Sequence, residues 1–180
     1  MGNFPCVNIK ELFPEMNSIQ DSNFSKLVIR AWELAVARGN FAHPENCHFV
    51  PRERISTQID LVTHTRTVTA IAISSADILA KTLPIKRDHL IAGALLHDVG
   101  KLIEYAPLGK ETGITQEGKR LNHRFSGASL CQEVGLPKEV VHIVYAHSKE
   151  GAFVERSIEA VIVSHADFTH FEVVMASLQG

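Results

Sequence analysis

The segment Leu95-Leu96-His97-Asp98-Val99-Gly100-Lys101 sets two ionisable side chains directly behind six apolar residues, which are interrupted only by Gly93. Such a run is bound for the protein interior. Burying an imidazole and a carboxylate at its end costs several kcal/mol unless something compensates them. A divalent cation does so, because imidazole and carboxylate are common ligands of zinc, iron and manganese. Adjacent residues on a helix point about 100° apart. His97 and Asp98 therefore share an ion only near a helix end or across a wide inward face, and Gly100 marks such an end. Lys101 lies three residues after Asp98 and four after His97, near the same face, where an ammonium could hold a substrate anion. Taken alone, the doublet suits a satisfied core pair equally well.

Apolar spacing elsewhere predicts further helices. Phe24, Leu27, Val28, Ala31, Leu34 and Ala35 recur at helical intervals from Asn23, with Gly39 as the stop. Residues 1–22 carry Pro5 and Pro14 without a sustained period and read as an irregular arm; residues 40–52 read as a loop. A long helix is expected from about Arg54 to Thr82, rich in Thr and Ser and so reliant on burial. The apolar helix runs from about Arg87 to Val99. Residues 104–119 hold Pro107, Gly109, Gly113 and Gly118 and read as a long loop, a common place for function. Helices are then expected over about Leu121 to Val134, from Pro137 at its first position to about His147, and over about Glu155 to Leu178. Strand-like alternation is scarce, so the fold class is all-α. The expected division is an arm, helix and loop over residues 1–52, packing on a core domain over residues 53–180.

Composition narrows the functional classes. The chain has 180 residues, 45% hydrophobic and 21% charged, which suits one globular domain. A net charge of −2 provides no global field for nucleic acid or an anionic membrane. Cys6, Cys47 and Cys131 are far apart and form no CxxC pair, so free thiols are expected. The first residues lack the charged and apolar regions of a secretory signal, and no apolar run approaches the roughly 20 residues that span a bilayer. A cytoplasmic location is expected.

More ligand-type residues accompany the doublet. His64 lies within the preceding helix, His123 opens the helix after the loop, His147 ends the next, and Asp167 lies in the last. Inward-facing helices that each contribute one or two such residues are how helical proteins build metal sites in their cores.

In this order His64, His97-Asp98 within HDVGK, and Asp167 within HADF resemble the H…HD…D pattern of HD-domain metal-dependent phosphohydrolases. His123, followed by Gly127-Ala128, and His147 resemble the two extra histidines of binuclear members. The resemblance covers about residues 58–170. It implies an HD-domain-like helical bundle with the metal site in its core and hydrolysis of a phosphate ester, from a nucleotide or a small phosphorylated metabolite, by metal-activated water. The chain lacks the GYP motif of cyclic-di-GMP phosphodiesterases and the ED motif of guanosine tetraphosphate hydrolases, which disfavours both substrates. The same residue set also suits a mixed-valent di-iron oxygenase, and a non-catalytic sensory module is a further alternative.

The resemblance assigns His64, His97, Asp98 and Asp167 to one metal and His123 and His147 to a second, with Asp98 bridging. The ions fit Fe, Mn, Zn, Co or Ni. Asp98 and Lys101 are the expected catalytic residues, and Lys101 and Arg124 the expected substrate contacts. Lys110, Lys119 and Arg120 read more simply as solvated charge. Asp60, one turn before His64, suits either a surface role or orientation of that histidine. His43, His48 and His89 read as surface residues, and His142 points about 140° from His147. His165 and Asp167 are about 200° apart, so only one can face the site from an ideal helix. His170, one turn past Asp167, could approach it. The expected partner is a small phosphorylated molecule, with no nucleic-acid polymer and no membrane. Assembly into a homo-oligomer stays open.

Overall fold

The run from Leu90 to Leu96 is apolar on every side because its helix occupies the centre of the molecule. In the computed structural model, which describes residues 7–51, 55 and 57–179, this helix is α4 (Arg87–Leu96). It packs against α2 (Ser22–Arg38), α3 (Leu61–Leu79), α7 (Lys138–Ala146) and α8 (Ile158–Ser177). The helix α6 (His123–Glu133) packs on α7 and on the short helix α5 (Lys101–Glu104), so the architecture is an α-helical bundle.

Capping residues set most of the boundaries. Asp21 accepts from the backbone N–H groups of Asn23 and Phe24 at the start of α2. Asp60 accepts from Thr63 N–H and so starts α3 at Leu61. The expected start of that helix at Arg54, like the boundary between residues 52 and 53, lies outside the described residues; Ile55 and residues 57–59 are not helical. The hydroxyls of Thr67 and Thr69 donate to carbonyls four residues back, and for the buried Thr69 this satisfies the hydroxyl within the helix. Ile78, an expected apolar anchor, is 66% exposed near the helix end. Pro137 occupies the N-cap of α7, one position earlier than expected, and Ser157 caps α8, which begins at Ile158 rather than near Glu155.

Two segments differ from the sequence reading. Within the expected irregular arm, residues 7–22 include α1 (Ile9–Leu12) and a 3₁₀ turn over Pro14–Ser18. Ile9, Phe13, Met16 and Ile19 from this stretch are buried in the core. One helical turn leaves too few apolar positions for a period to show, and packing rather than propensity holds it. The expected loop contains an antiparallel hairpin, β1 (Tyr105–Leu108) and β2 (Glu111–Ile114), with Tyr105 opposite Ile114 and Leu108 opposite Glu111. Gly109 has φ 64° at the first position of the two-residue turn, the geometry of a type II′ hairpin. Strands of four residues that contain Pro107 and Gly113 carry no alternation for a sequence reading to find.

Cys47 and Cys131 are buried free thiols, and burial pushes the Cys131 thiol up to about 12. Cys6 lies outside the described residues. Among the described residues no helix is long and apolar enough to cross a membrane.

The N-terminal segment backs the central helix. Trp32 is fully buried, packs with its ring centroid 4.6 Å from that of Phe13 in a tilted arrangement, and donates from Nε1 to the Leu95 carbonyl at 3.0 Å. Trp32→Ala is expected to lower unfolding free energy by about 3–5 kcal/mol, read from equilibrium urea denaturation.

Candidate metal centre

The helix α4 ends one residue before the doublet. His97 is its C-cap, and the chain continues through tight turns in which Val99 N–H donates to Leu96 O and Lys101 N–H to Asp98 O. This turn relaxes the helical divergence of neighbouring side chains and turns both residues inward, where His97 and Asp98 are 0% and 1% exposed. A Cβ on Gly100 would meet the backbone of His123 and Gly127, so glycine lets the start of α6 close onto the turn. That approach carries His123 to the doublet.

The two oxygens of Asp98 face different pairs of rings. Oδ2 lies 3.2 Å from His64 Nε2 and 3.3 Å from His97 Nε2. Oδ1 lies 3.6 Å from both His123 Nε2 and His147 Nε2. Asp167 adds an oxygen 3.2 Å from His64 Nε2 and 3.9 Å from His97 Nε2. All six expected ligand residues therefore converge. Two groups of them, His64 with His97 and Asp98, and Asp98 with His123 and His147, have the spacing to hold a metal ion each.

The outer nitrogens show which way the rings present their lone pairs. His97 Nδ1 donates to Ala94 O and His147 Nδ1 to Val144 O, both at 2.7 Å. His123 Nδ1 donates to Glu104 Oε2 at 2.6 Å. His64 Nδ1 lies 2.7 Å from His170 Nδ1. Burial and the neighbouring His64 push His170 down to about 4, so it stays neutral and accepts a hydrogen bond from His64 Nδ1–H. In their neutral forms these rings aim Nε2 lone pairs at carboxylate oxygens. Lone pairs crowded in this way repel one another unless positive charge lies between them, and a divalent cation fits that need.

Electrostatics agree with the geometry. Burial disfavours a charged Asp98, but the Lys101 ammonium, together with His97, His147 and His64 in their doubly protonated forms, outweighs it and holds the carboxyl well below its usual range. Burial likewise opposes ionisation of Asp167, and His64 and His97 outweigh it. For His64, burial favours the neutral ring, while Asp167 and Asp98 raise its pKa above the ordinary value. Lys101 is buried, and its Nζ donates to Asp98 Oδ2 at 2.5 Å and to Phe49 O at 2.7 Å.

The centre opens into a cavity of about 370 Å³. Asp98, Lys101, His123, His147 and Asp167 line its polar end, and Phe49, Phe168, Phe171 and Met175 form much of its apolar wall. Lys149 also lines it. Arg124 is not among the lining residues; its guanidinium lies over the Tyr145 ring and donates to the Tyr145 carbonyl. Lys110, Lys119 and Arg120 are exposed. Asp60 caps α3, and His165 is exposed while Asp167 turns inward. His142 accepts from Ser157 N–H. His43 is exposed, whereas His48 and His89 are half-buried, beside Thr112 and Phe24.

The sequence reading missed Glu104, which orients His123, and Phe49, which stacks on His64 at 4.6 Å. No local spacing signals either one. His170 carried a weak signal in its position one turn past Asp167.

These shifts set a pH dependence for metal-free protein. Asp98 and Asp167 contribute stability that is complete above about pH 4 and is lost as pH falls through their lower folded values. The contribution of His64 is complete below about pH 6.5 and is lost as pH rises through its raised folded value. Thermal melts of EDTA-treated protein are expected to show Tm falling between neutral and alkaline pH, with a smaller fall in His64→Gln. A saturating divalent cation should abolish the fall.

Residues 61–172 match the HD domain family. The chain is also 37% identical over 112 residues to a dihydroneopterin 2',3'-cyclic phosphate phosphodiesterase from Methanocaldococcus jannaschii, covering 59% of this chain and 44% of that protein. It is 36% identical over 93 residues to a ribonuclease Y from Acidothermus cellulolyticus, covering 51% of this chain and 16% of that one. A tRNA (cytidine(56)-2'-O)-methyltransferase from Picrophilus torridus is 26% identical over 121 residues, covering 59% and 30%. The chain thus spans less than half the length of these curated relatives. No solved structure matches it significantly. With the family matched over more than half of its residues and the family's histidine–aspartate doublet at the heart of its core, the chain belongs to the HD domain family.

Proposed function

We propose that the protein is a metal-dependent hydrolase of a small phosphate ester, with its hydrolytic unit in residues 53–180 and residues 1–52 packed against it. The observation that carries this reading is the division of Asp98, one oxygen towards His64 and His97 and the other towards His123 and His147. Two relatives, a cyclic-phosphate phosphodiesterase and a ribonuclease, favour phosphate-ester chemistry. A cavity of about 370 Å³ suits a small molecule or a single nucleotide unit.

In this reading His64, His97, Asp98 and Asp167 hold one ion, and Asp98, His123 and His147 a second, drawn from Fe, Mn, Zn, Co or Ni. Bound there, such ions supply Lewis acidity for the phosphoryl group and lower the pKa of water. Lys101 keeps Asp98 ionised and adds positive charge beside the phosphate. Lys149 at the cavity wall, rather than Arg124, is placed to draw in the anion. Phe49, Phe168, Phe171 and Met175 receive the rest of the substrate and exclude water.

Metal quantification paired with hydrolysis of bis(p-nitrophenyl) phosphate and of 2',3'-cyclic nucleotides tests the proposal. His97→Ala and Asp98→Ala are each expected to lower kcat/KM by about 10³-fold or more, since several kcal/mol of transition-state stabilisation are removed. Wild-type rates in both variants would refute hydrolysis at this centre. Oxygen uptake without phosphate release by iron-loaded protein would favour the oxidative alternative. Phe171→Ala is expected to raise KM roughly tenfold with kcat little changed, as loss of a buried aromatic contact predicts.

A further inference from the structure

The rings around Asp98 are oriented in unlike ways. His97 and His147 end their helices, so each ring reaches the carbonyl three residues back in its own helix. His123 begins α6, where no helical carbonyl precedes it, and its ring needs an acceptor from elsewhere. Glu104 supplies one across 19 residues of chain.

One oxygen does two things there. Glu104 Oε2 accepts from His123 Nδ1 and from the His123 backbone N–H, both at 2.6 Å. The second donor is among those that a helix start leaves without a partner. The Glu104 carbonyl is itself fixed, accepting from the backbone N–H and the hydroxyl of Thr115, both at 3.0 Å. Glu104 is therefore buried and tied at both ends, and it sets the position of the His123 main chain as well as the direction of its ring.

Charge explains why the acceptor is a carboxylate. Asp98 is shared between the two groups of ligand-type residues, and Asp167 faces only His64 and His97. Besides the shared Asp98, Glu104 is the carboxylate hydrogen-bonded to a ring of the Asp98, His123 and His147 group among the described residues, and it acts one ring away.

We infer that Glu104 is a positioning residue, holding His123 in its Nδ1–H form and supplying through that ring the counter-charge for a cation between Asp98, His123 and His147. The inference rests on the reading above that this group holds a cation.

Cobalt(II) titration of EDTA-stripped full-length chain, followed by calorimetry and metal quantification, tests it. Wild type is expected to take up two equivalents. Glu104→Ala should retain one, bound with wild-type affinity. Glu104→Gln keeps an oxygen acceptor but loses the charge, and should bind the second equivalent about 10–100-fold more weakly, with the first unchanged. If Glu104→Ala does not fold, the Gln variant decides. Two equivalents of unaltered affinity in the Gln variant, or equal weakening of both, would overturn the positioning role while leaving the two-ion reading intact. A single equivalent in wild type would overturn both.

Discussion

Asp98 is a carboxylate with almost no access to water, and it stays ionised because positive and hydrogen-bonding partners surround it. Five of the helices and the turn after α4 contribute to that enclosure. α3 brings His64, the turn after α4 brings His97, α6 brings His123, α7 ends on His147, α8 brings Asp167, and α5 begins with Lys101. An isolated charge at this depth would be strongly unfavourable. The helices must therefore meet with their polar groups in register, and a buried centre with no compensation would push them apart.

The N-terminal residues take part in this arrangement. Trp32 braces α4 two residues before the doublet, and Phe49 contributes both a ring against His64 and a carbonyl that accepts from Lys101. Lys101 is thus held between the carboxylate and a backbone oxygen, with its ammonium at the cavity wall. The HD domain match begins at residue 61, so Phe49 lies outside the region shared with the family. The hairpin between Glu104 and His123 likewise joins two residues that act together, and its exit turn fixes Glu104 in place. Segments outside the bundle shape the centre through such contacts.

The histidines divide by whether their orientation is local. His97 and His147 sit at helix ends and use carbonyls from their own last turns, so their ring directions follow from chain geometry alone. His64 and His123 depend on His170 and Glu104, from elements far along the chain. Changes near those partners should alter the centre without touching a ligand-type residue.

The all-α class could be read from helical periods, and burial of a His–Asp doublet behind Leu90 to Leu96 demanded compensation; the full ligand set came from the ordered resemblance to HD-domain phosphohydrolases. Spacing alone left Asp167 and His165 open; the family resemblance chose Asp167, and the packing of α8 turns that residue inward and leaves His165 exposed. The hairpin, the buried turn near Ile9 and Phe13, and the partners Glu104 and Phe49 were not legible. Each depends on residues remote in sequence that become neighbours only after the helices pack. Local periodicity records which side of an element meets the interior; which groups it meets there is set by tertiary contact, and those contacts fix the direction of each imidazole.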